Sequence, residues 1–312
     1  MDEAAEGNRK DRVKNLIDTY LDEMLAEGKA EKTVATYRSA LYRFAREIGK
    51  VLPEIASRDV HRWLMGLKGI STFRRHNVRC ALAGFFNWCR RWEYIPVDRD
   101  IMFQVGKIKR HEVAKQWLTQ AQVRLVAEEG CSKALGGFLK WKTRALIKFI
   151  GWTSVRLNEA LSLRWSDIHA DRGCFDYRLK GGRIDTYPID ANIVRVLREY
   201  RVHYDRWQKM AKRKGLRSPE VCAKLGYVFP ARTGGKWWHA YDAMKAAGKS
   251  VGVVVHAHKI RHSVAQWYVE GGGPVEGLQI IMGHKNIATT QGYYQRHLKI
   301  KKRARKSINF NL

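Results

Sequence analysis

Apolar residues recur at three- and four-residue steps near the start of the chain. Leu16, Ile17, Tyr20, Leu21, Met24 and Leu25 mark one face of a helix, and Gly28 ends it. Residues 1–10, polar and aperiodic, read as a flexible end. Thr33 stands where it can cap a second helix lined by Val34, Tyr37, Leu41 and Phe44. A third, short helix is expected over 58–67. A fourth starts at Ser71 or Thr72 and turns Phe73, Val78, Leu82, Phe85, Phe86 and Cys89 inward. These helices finish near Pro96, and the module they build spans 11–105.

The stretch 106–116, GKIKRHEVAKQ, is polar and basic and reads as a linker. Beyond it the pattern is mixed. Trp117, Leu118 and Thr119 lead into a helix with Thr119 as its cap. Apolar helices are expected over 144–151 and 157–164. Residues 174–189 alternate around a Gly-Gly pair, which signals a β-hairpin with Lys180 at the turn edge. A long helix covers 191–213. Residues 215–240 are loop-rich, with Val228 and Phe229 as a short strand or a buried anchor. Helices follow over 239–247, 260–270 and 275–282. The expected fold is mainly α with a small β-sheet: a helical domain, then a mixed α/β domain over 117–298, then a basic tail over 299–312.

Charge changes this picture. Lys and Arg number 59 against 30 Asp and Glu, a formal net charge of +29. Such an excess repels itself unless an anionic partner is present, and nucleic acid is the first candidate, with a membrane surface second. No run approaches the length of a membrane span. The opening MDEAAEGNRKDR lacks the basic-then-apolar order of a signal peptide, so a cytoplasmic or nucleoid-associated protein is expected. Cys80, Cys89, Cys131, Cys174 and Cys222 are scattered and form neither a disulfide framework nor a zinc pattern. Arg38, Arg43, Arg74, Arg75 and Arg79 lie off the apolar faces of the helical domain. With Lys107, Lys109 and Arg110 of the linker they are candidates for contacts to DNA phosphates.

Several residues of the second domain are ordinary singly and suggestive together. Arg156 opens a helix. His258 and Arg261 are three apart at another helix start, and Tyr293 lies nine positions after His284. Paired guanidiniums can hold the non-bridging oxygens of one phosphate and stabilise the charge that grows on them under attack. Histidines can donate to those oxygens or help remove the nucleophile's proton. A positive pocket favours a phenolate. A lysine at a hairpin tip can protonate a leaving 5′ oxygen. His258 and His262 are four apart, but Arg261 sits between them and no H-E-x-x-H pattern is present, so no metal is expected. Nor is a cofactor.

Three ordered segments resemble the tyrosine recombinases, or phage-type integrases. TSVRLNEALSLRWSDI (153–168) is similar to T-G-L-R-x-x-E-x-x-x-L-x-W-x-D-I. HKIRHSVA (258–265) resembles the H-x-L-R-H box, and MGHKNIATTQGYY (282–294) resembles L-G-H-x-x-x-x-T-T-x-x-Y. Lys180 falls 24 positions after Arg156 in a K-G-G hairpin like the family's strand-turn lysine. TVATYRSALYRFA (33–45) is more weakly similar to the start of the family's core-DNA-binding domain. Ser154 stands where the family usually has Gly, and Met282 where it usually has Leu. Tyr294 adjoins Tyr293, and the spacing from His284 favours Tyr293.

The resemblance implies Tyr293 as nucleophile, Arg156, Arg261, His258 and His284 as its catalytic partners, and Lys180 as general acid. Glu159, Asp167 and His262 are supports. It further implies a C-shaped clamp on duplex DNA, a 3′-phosphotyrosyl intermediate and exchange through a Holliday junction. Four protomers would act on two sites, with a monomer or weak dimer off DNA. Accessory DNA-bending or directionality proteins would be possible partners. The work would be integration or excision of a mobile element, or dimer resolution. The tail is either a terminal helix docking on a neighbour or a loose basic segment touching DNA. The competing readings are a relaxing enzyme like the type IB topoisomerases and a non-catalytic DNA-binding relative.

Overall fold

The structure is a computed structural model that describes residues 3–108, 116–178, 182–283 and 286–295, with the side chains of 3–12, Thr289 and Gln295 excepted. The chain divides into two units, Met1–Ala114 and Lys115–Leu312.

The first unit is helical. Helix α1 (Glu3–Ala26) is followed by α2 (Glu31–Ile48), α3 (Ser57–Gly66) and α4 (Thr72–Arg91). Ile17, Leu21, Leu41, Phe44, Leu64, Leu82 and Phe85 are fully or almost fully buried between them. Polar clamps brace this core: Trp88 Nε1 donates to Glu23 Oε2 (2.6 Å) and Tyr42 Oη to Asp18 Oδ1 (2.5 Å). Gly84 sits inside α4 because a Cβ there would lie 2.5 Å from Tyr20 Oη. Ile95, Ile101, Met102 and Val105 continue the core past the last helix.

Three details differ from the sequence reading. Helix α1 begins at Glu3, so residues 3–10 are helical. Ala4 and Ala5 are strong helix formers, and extending an existing helix needs no new nucleus. Helix α2 starts at Glu31 with Ala30 at its N-cap, which leaves Thr33 inside the first turn with no capping role. Phe73 is 57% exposed, because the first turn of α4 overhangs the core that Phe85 and Phe86 fill. At that same helix start, Ser71 Oγ accepts from Arg74 N (3.2 Å).

In the second unit, Thr119 caps α5 (Gln120–Leu125), which runs through a π-helical turn, Val126–Gly130, into α6 (Cys131–Ala134). Helix α7 (Gly137–Thr153) is the central rod; Leu146, Ile147, Phe149 and Ile150 are buried along it. Helix α8 (Leu157–Ser162) leads to an antiparallel sheet, β1 (Ile168–His169), β2 (Cys174–Arg178) and β3 (Ile184–Pro188), in that order. The expected hairpin pairs Phe175 with Tyr187 and Asp176 with Thr186; β1 adds a short strand that the alternation did not show.

Helix α9 (Ala191–Arg213) lies along α7. The segment read as loop contains α10 (Ser218–Leu225), with Pro219 at an early helical position where a missing N–H costs nothing. Val228 and Phe229 are buried anchors, both fully enclosed, and Val228 O accepts from Tyr200 Oη (2.8 Å). Helices α11 (Ala240–Lys249), α12 (Ala257–Glu270) and α13 (Val275–Met282) follow, and α14 (Ile287–Gln295) completes the described unit. Among the described residues no helix is long and apolar enough to cross a membrane.

Candidate active site

The site is assembled where α7, α12, α13 and α14 end or meet. Helix α7 stops at Thr153, and Ser154 takes a left-handed backbone (φ 57°), a conformation that glycine adopts freely. This explains why the resembling box favours Gly there. The turn delivers Arg156 to the N-cap of α8. Glu159, buried, fixes that arginine twice: one carboxylate oxygen accepts from Arg156 N (2.7 Å) and the other from Arg156 Nη1 (2.8 Å). Asp167 does a similar local job, accepting from Arg164 N (2.8 Å) to close the turn Trp165–Asp167.

Arg261 projects from α12 and is only 4% exposed. Its guanidinium donates to two backbone carbonyls, Ser154 O through Nη1 and Met282 O through Nη2. Arg156 Nη2 reaches the next carbonyl, Gly283 O (3.5 Å). The two arginines therefore hang on the same turn, the left-handed cap of α13. Burial and then the neighbouring Arg156 cation push the Arg261 guanidinium down to about 10. It remains charged at neutral pH, and two cations set this close favour an anion between them.

His258 and His262 are one helical turn apart on α12. Their Nε2 atoms lie 2.6 Å from each other. The other ring nitrogen of His262, Nδ1, contacts Tyr293 Oη on α14. The Trp117 ring leans on both partners, 5.9 Å from the His262 ring and 6.3 Å from that of Tyr293. Tyr293 is nearly buried. Tyr294 points elsewhere: its Oη donates to Gly273 O (2.6 Å), and burial, reinforced by Tyr268 and Glu276, pushes its phenol up to about 12.

The structure thus brings Arg156, Glu159, Arg261, His258, His262 and Tyr293 together. Lys180, His284, Lys109, Arg110 and the tail 299–312 lie outside the described residues. Trp117, the Ser154 and Met282 carbonyls, and Tyr187, whose burial-raised phenol feels Arg261, were not foreseen. No periodicity marks them, since each is recruited by tertiary contact. In the first unit, Arg38, Arg74 and Lys107 are exposed, and Arg43 pairs with Glu47 (2.9 Å). Arg75 donates to Leu67 O (2.7 Å), and Arg79 to Val105 O (2.9 Å) and Gly106 O (3.0 Å), so these two also brace the fold. No group of three or more His, Cys, Asp or Glu is arranged to hold a metal among the described residues.

The profile of the phage integrase family matches residues 116–299. The chain belongs to the phage integrase family. It is a tyrosine-type site-specific DNA recombinase, an enzyme that cuts and rejoins DNA strands. Tyrosine recombinase XerD of Mycobacterium leprae is 27% identical over 293 residues, covering 88% of this chain and 90% of its own length. Tyrosine recombinase XerA of Saccharolobus solfataricus is 24% identical, with 89% and 87% covered. The crystal structure of a XerH site-specific recombinase bound to a palindromic difH substrate, a post-cleavage complex, shares the fold. Its TM-score is 0.69 at 18% identity, covering 95% of this chain and 83% of that one. This recombinase architecture accounts for the mainly helical chain with its small sheet.

Proposed function

We propose that Tyr293 is the nucleophile of strand cleavage and Tyr294 a structural neighbour. The observation that carries this is the divergence of the two phenols: Tyr293 Oη meets His262 in the arginine-lined cluster, while Tyr294 Oη is consumed by Gly273 O. The Tyr293 oxygen attacks the scissile phosphorus and the 5′ oxygen leaves, giving a 3′-phosphotyrosyl link. The link conserves the ester, so a 5′ hydroxyl of a partner duplex can reverse the step without an energy source. Arg156 and Arg261 hold the non-bridging oxygens as their charge grows. His284 shares this work, and Lys180 protonates the leaving oxygen. His258 and His262 line the nucleophile's side of the cluster.

The unit before the linker 106–116 contributes phosphate contacts through Arg38, Arg43 and Arg74, and the linker does so through Lys107. On DNA four protomers act on two sites and pass through a Holliday junction; off DNA the protein is a monomer or weak dimer. A relative supports this assembly: lambda integrase has been crystallised as a tetramer bound to a Holliday junction. The test uses nicked suicide duplexes tiled across the DNA that flanks the gene. Wild type and Tyr294→Phe should form a covalent adduct, and Tyr293→Phe none. Adduct lost in Tyr294→Phe and kept in Tyr293→Phe overturns the assignment.

A further inference from the structure

We propose that the outward face of α9 is a second DNA-backbone surface, which holds a duplex segment other than the one cut at the Tyr293 cluster. This takes from the proposed function only where the first duplex lies. Successive residues of a helix are about 100° apart around its axis. On that wheel the buried residues of α9, Ile193, Leu197, Tyr200, Tyr204 and Ala211, form one stripe, and α9 packs on α7 and α10. About 180° away runs a second stripe: Arg195, Arg198, Val202, Arg206, Lys209 and Arg213, all exposed. Five of the six are cations and none is an acid. The stripe is about 27 Å long at about 1.5 Å per residue, and a duplex carries about 16 phosphate charges over that length.

This charge is left over after the fold has used what it needs. The two acids of α9 lie beside the stripe and are taken: Glu199 pairs with Arg144 (2.6 Å) and Asp205 with Arg201 (2.9 Å). Arg201 also lies 4.6 Å from the centre of the Trp165 ring, so it serves the fold. Among the described residues none of the five stripe cations has an ion-pair partner. Like charges three or four residues apart weaken a helix, and of the five only Arg213 sits in the last turn, where the helix dipole favours a cation. A protein partner would need apolar anchors at its centre, and the stripe offers Val202 alone. A row dominated by guanidiniums matches phosphate oxygens instead.

The face is separate from the catalytic cluster. Arg261, His258 and His262 stand on α12, which packs on α7, α13 and α14. Helix α9 meets α7 with its other sides: His203 stacks on Trp141, and Glu199 accepts from Arg144. The outward stripe therefore points away from α7. Its first half rims an open hollow of about 770 Å³ against the β1–β2 turn. Two carboxylates border this hollow, and both are engaged. Asp190 Oδ1 accepts from Asn192 N (2.9 Å) and Ile193 N (3.0 Å) at the start of α9, and Glu199 is held by Arg144. A segment bound here restrains DNA without touching the scissile phosphate.

The experiment titrates the full chain with an excess of a short duplex at low salt and counts duplexes bound per protomer by sedimentation. Wild type should hold two. The variant Arg195→Gln/Arg198→Gln/Arg206→Gln/Lys209→Gln should hold one, with thermal unfolding unchanged. Arg195→Lys/Arg198→Lys/Arg206→Lys keeps the charge and should keep the second duplex. In wild type the second duplex should leave with a log–log salt slope of about −4.5, from about 0.9 for each of the five cations. Both variants should bind the first duplex as wild type does and form adduct on the nicked suicide duplexes at the wild-type rate. Four results overturn the proposal: one duplex per protomer in wild type, two in the glutamine variant, a first duplex weakened as much as the second, or polyglutamate that displaces the second duplex at a lower charge concentration than competing duplex does. The third puts α9 in the cleavage groove, and the fourth assigns its face to an acidic protein. Absence of adduct in wild type would instead strike the cleavage reading, and the duplex count would still decide this one.

Discussion

Lys142 sits inside the catalytic unit on α7, the helix whose end presents Arg156, and is 4% exposed. Burial pushes its ammonium down from 10.5 to about 7. At about 1.4 kcal/mol per tenfold change in proton affinity, carrying the charge costs the folded state about 5 kcal/mol. Two rings oppose this: Nζ lies 3.9 Å from the Trp237 centroid and 5.4 Å from that of Phe138. A desolvated cation–π contact is worth about 2 kcal/mol, so the net cost is about 3 kcal/mol. The sign follows from proton counting. Between about pH 7 and 10.5 the unfolded lysine is protonated while the folded one sheds its proton, so stability rises with pH. Below that window both states hold the proton and the penalty is constant. From about pH 7 to 9.5 this lysine should therefore add about 2 kcal/mol of stability. The assay is urea unfolding followed by tryptophan fluorescence at both pH values, for wild type and Lys142→Met. Methionine also loses the bond to Pro230 O (2.6 Å); the part of that loss common to the charged and neutral amine cancels from the difference, and the rest belongs to the proton linkage being measured. Equal pH increments in the two proteins would refute the reasoning.

Other expectations can be checked in the same preparations. Glu159→Gln must turn its amide toward one of two N–H donors, so adduct formation should slow about tenfold to a hundredfold while DNA binding holds; an unchanged rate would deny Glu159 its grip on Arg156. Ser154→Gly relieves a left-handed side-chain position and should raise stability by up to about 1 kcal/mol in denaturant titration, with adduct formation retained. Gly130→Ala places a Cβ 2.4 Å from Ala247 O and should lower stability by about 1–3 kcal/mol; a neutral result would mean that the π-helical turn yields easily. With a net charge of +29, duplex binding should weaken steeply and log-linearly with salt, and a flat titration would contradict a phosphate-dominated interface.

How much of this is legible in the sequence depends on how local each cause is. Stops such as Gly28 and the Ser71 cap are decided within a few residues, and their helices end and begin there. Arg156 and Glu159, three apart, announce their own hydrogen bonds. Helix α10 is hidden because it is short and polar and buries Ser218 and Cys222 rather than an apolar stripe. The meeting of His262 with Tyr293 spans 31 positions, and that of Arg261 with Ser154 spans 107. No period encodes such pairs. The ordered motifs suggested that these residues share one site, but only the packing of α12 against α14 shows that His262, first read as a support, touches Tyr293, the proposed nucleophile.

The way the arginines are held bears on what the site can bind. A carboxylate bonded to Arg261 would fix its geometry but cancel its charge. The partners of its guanidinium are instead the Ser154 and Met282 carbonyls, dipoles that orient a cation and leave its unit charge in place. Glu159 pairs directly with Arg156 at the N-cap of α8 and reaches Arg261 only through space. The cluster therefore keeps net positive charge at a nearly buried position, where it interacts more strongly than at the surface. Arg156 and Arg261 repel each other, and a phosphate held between them would relieve that repulsion. Under the proposed attack by Tyr293, that relief would grow as the non-bridging oxygens gain charge. On that proposal, binding free energy is directed at the transition state more than at the resting duplex.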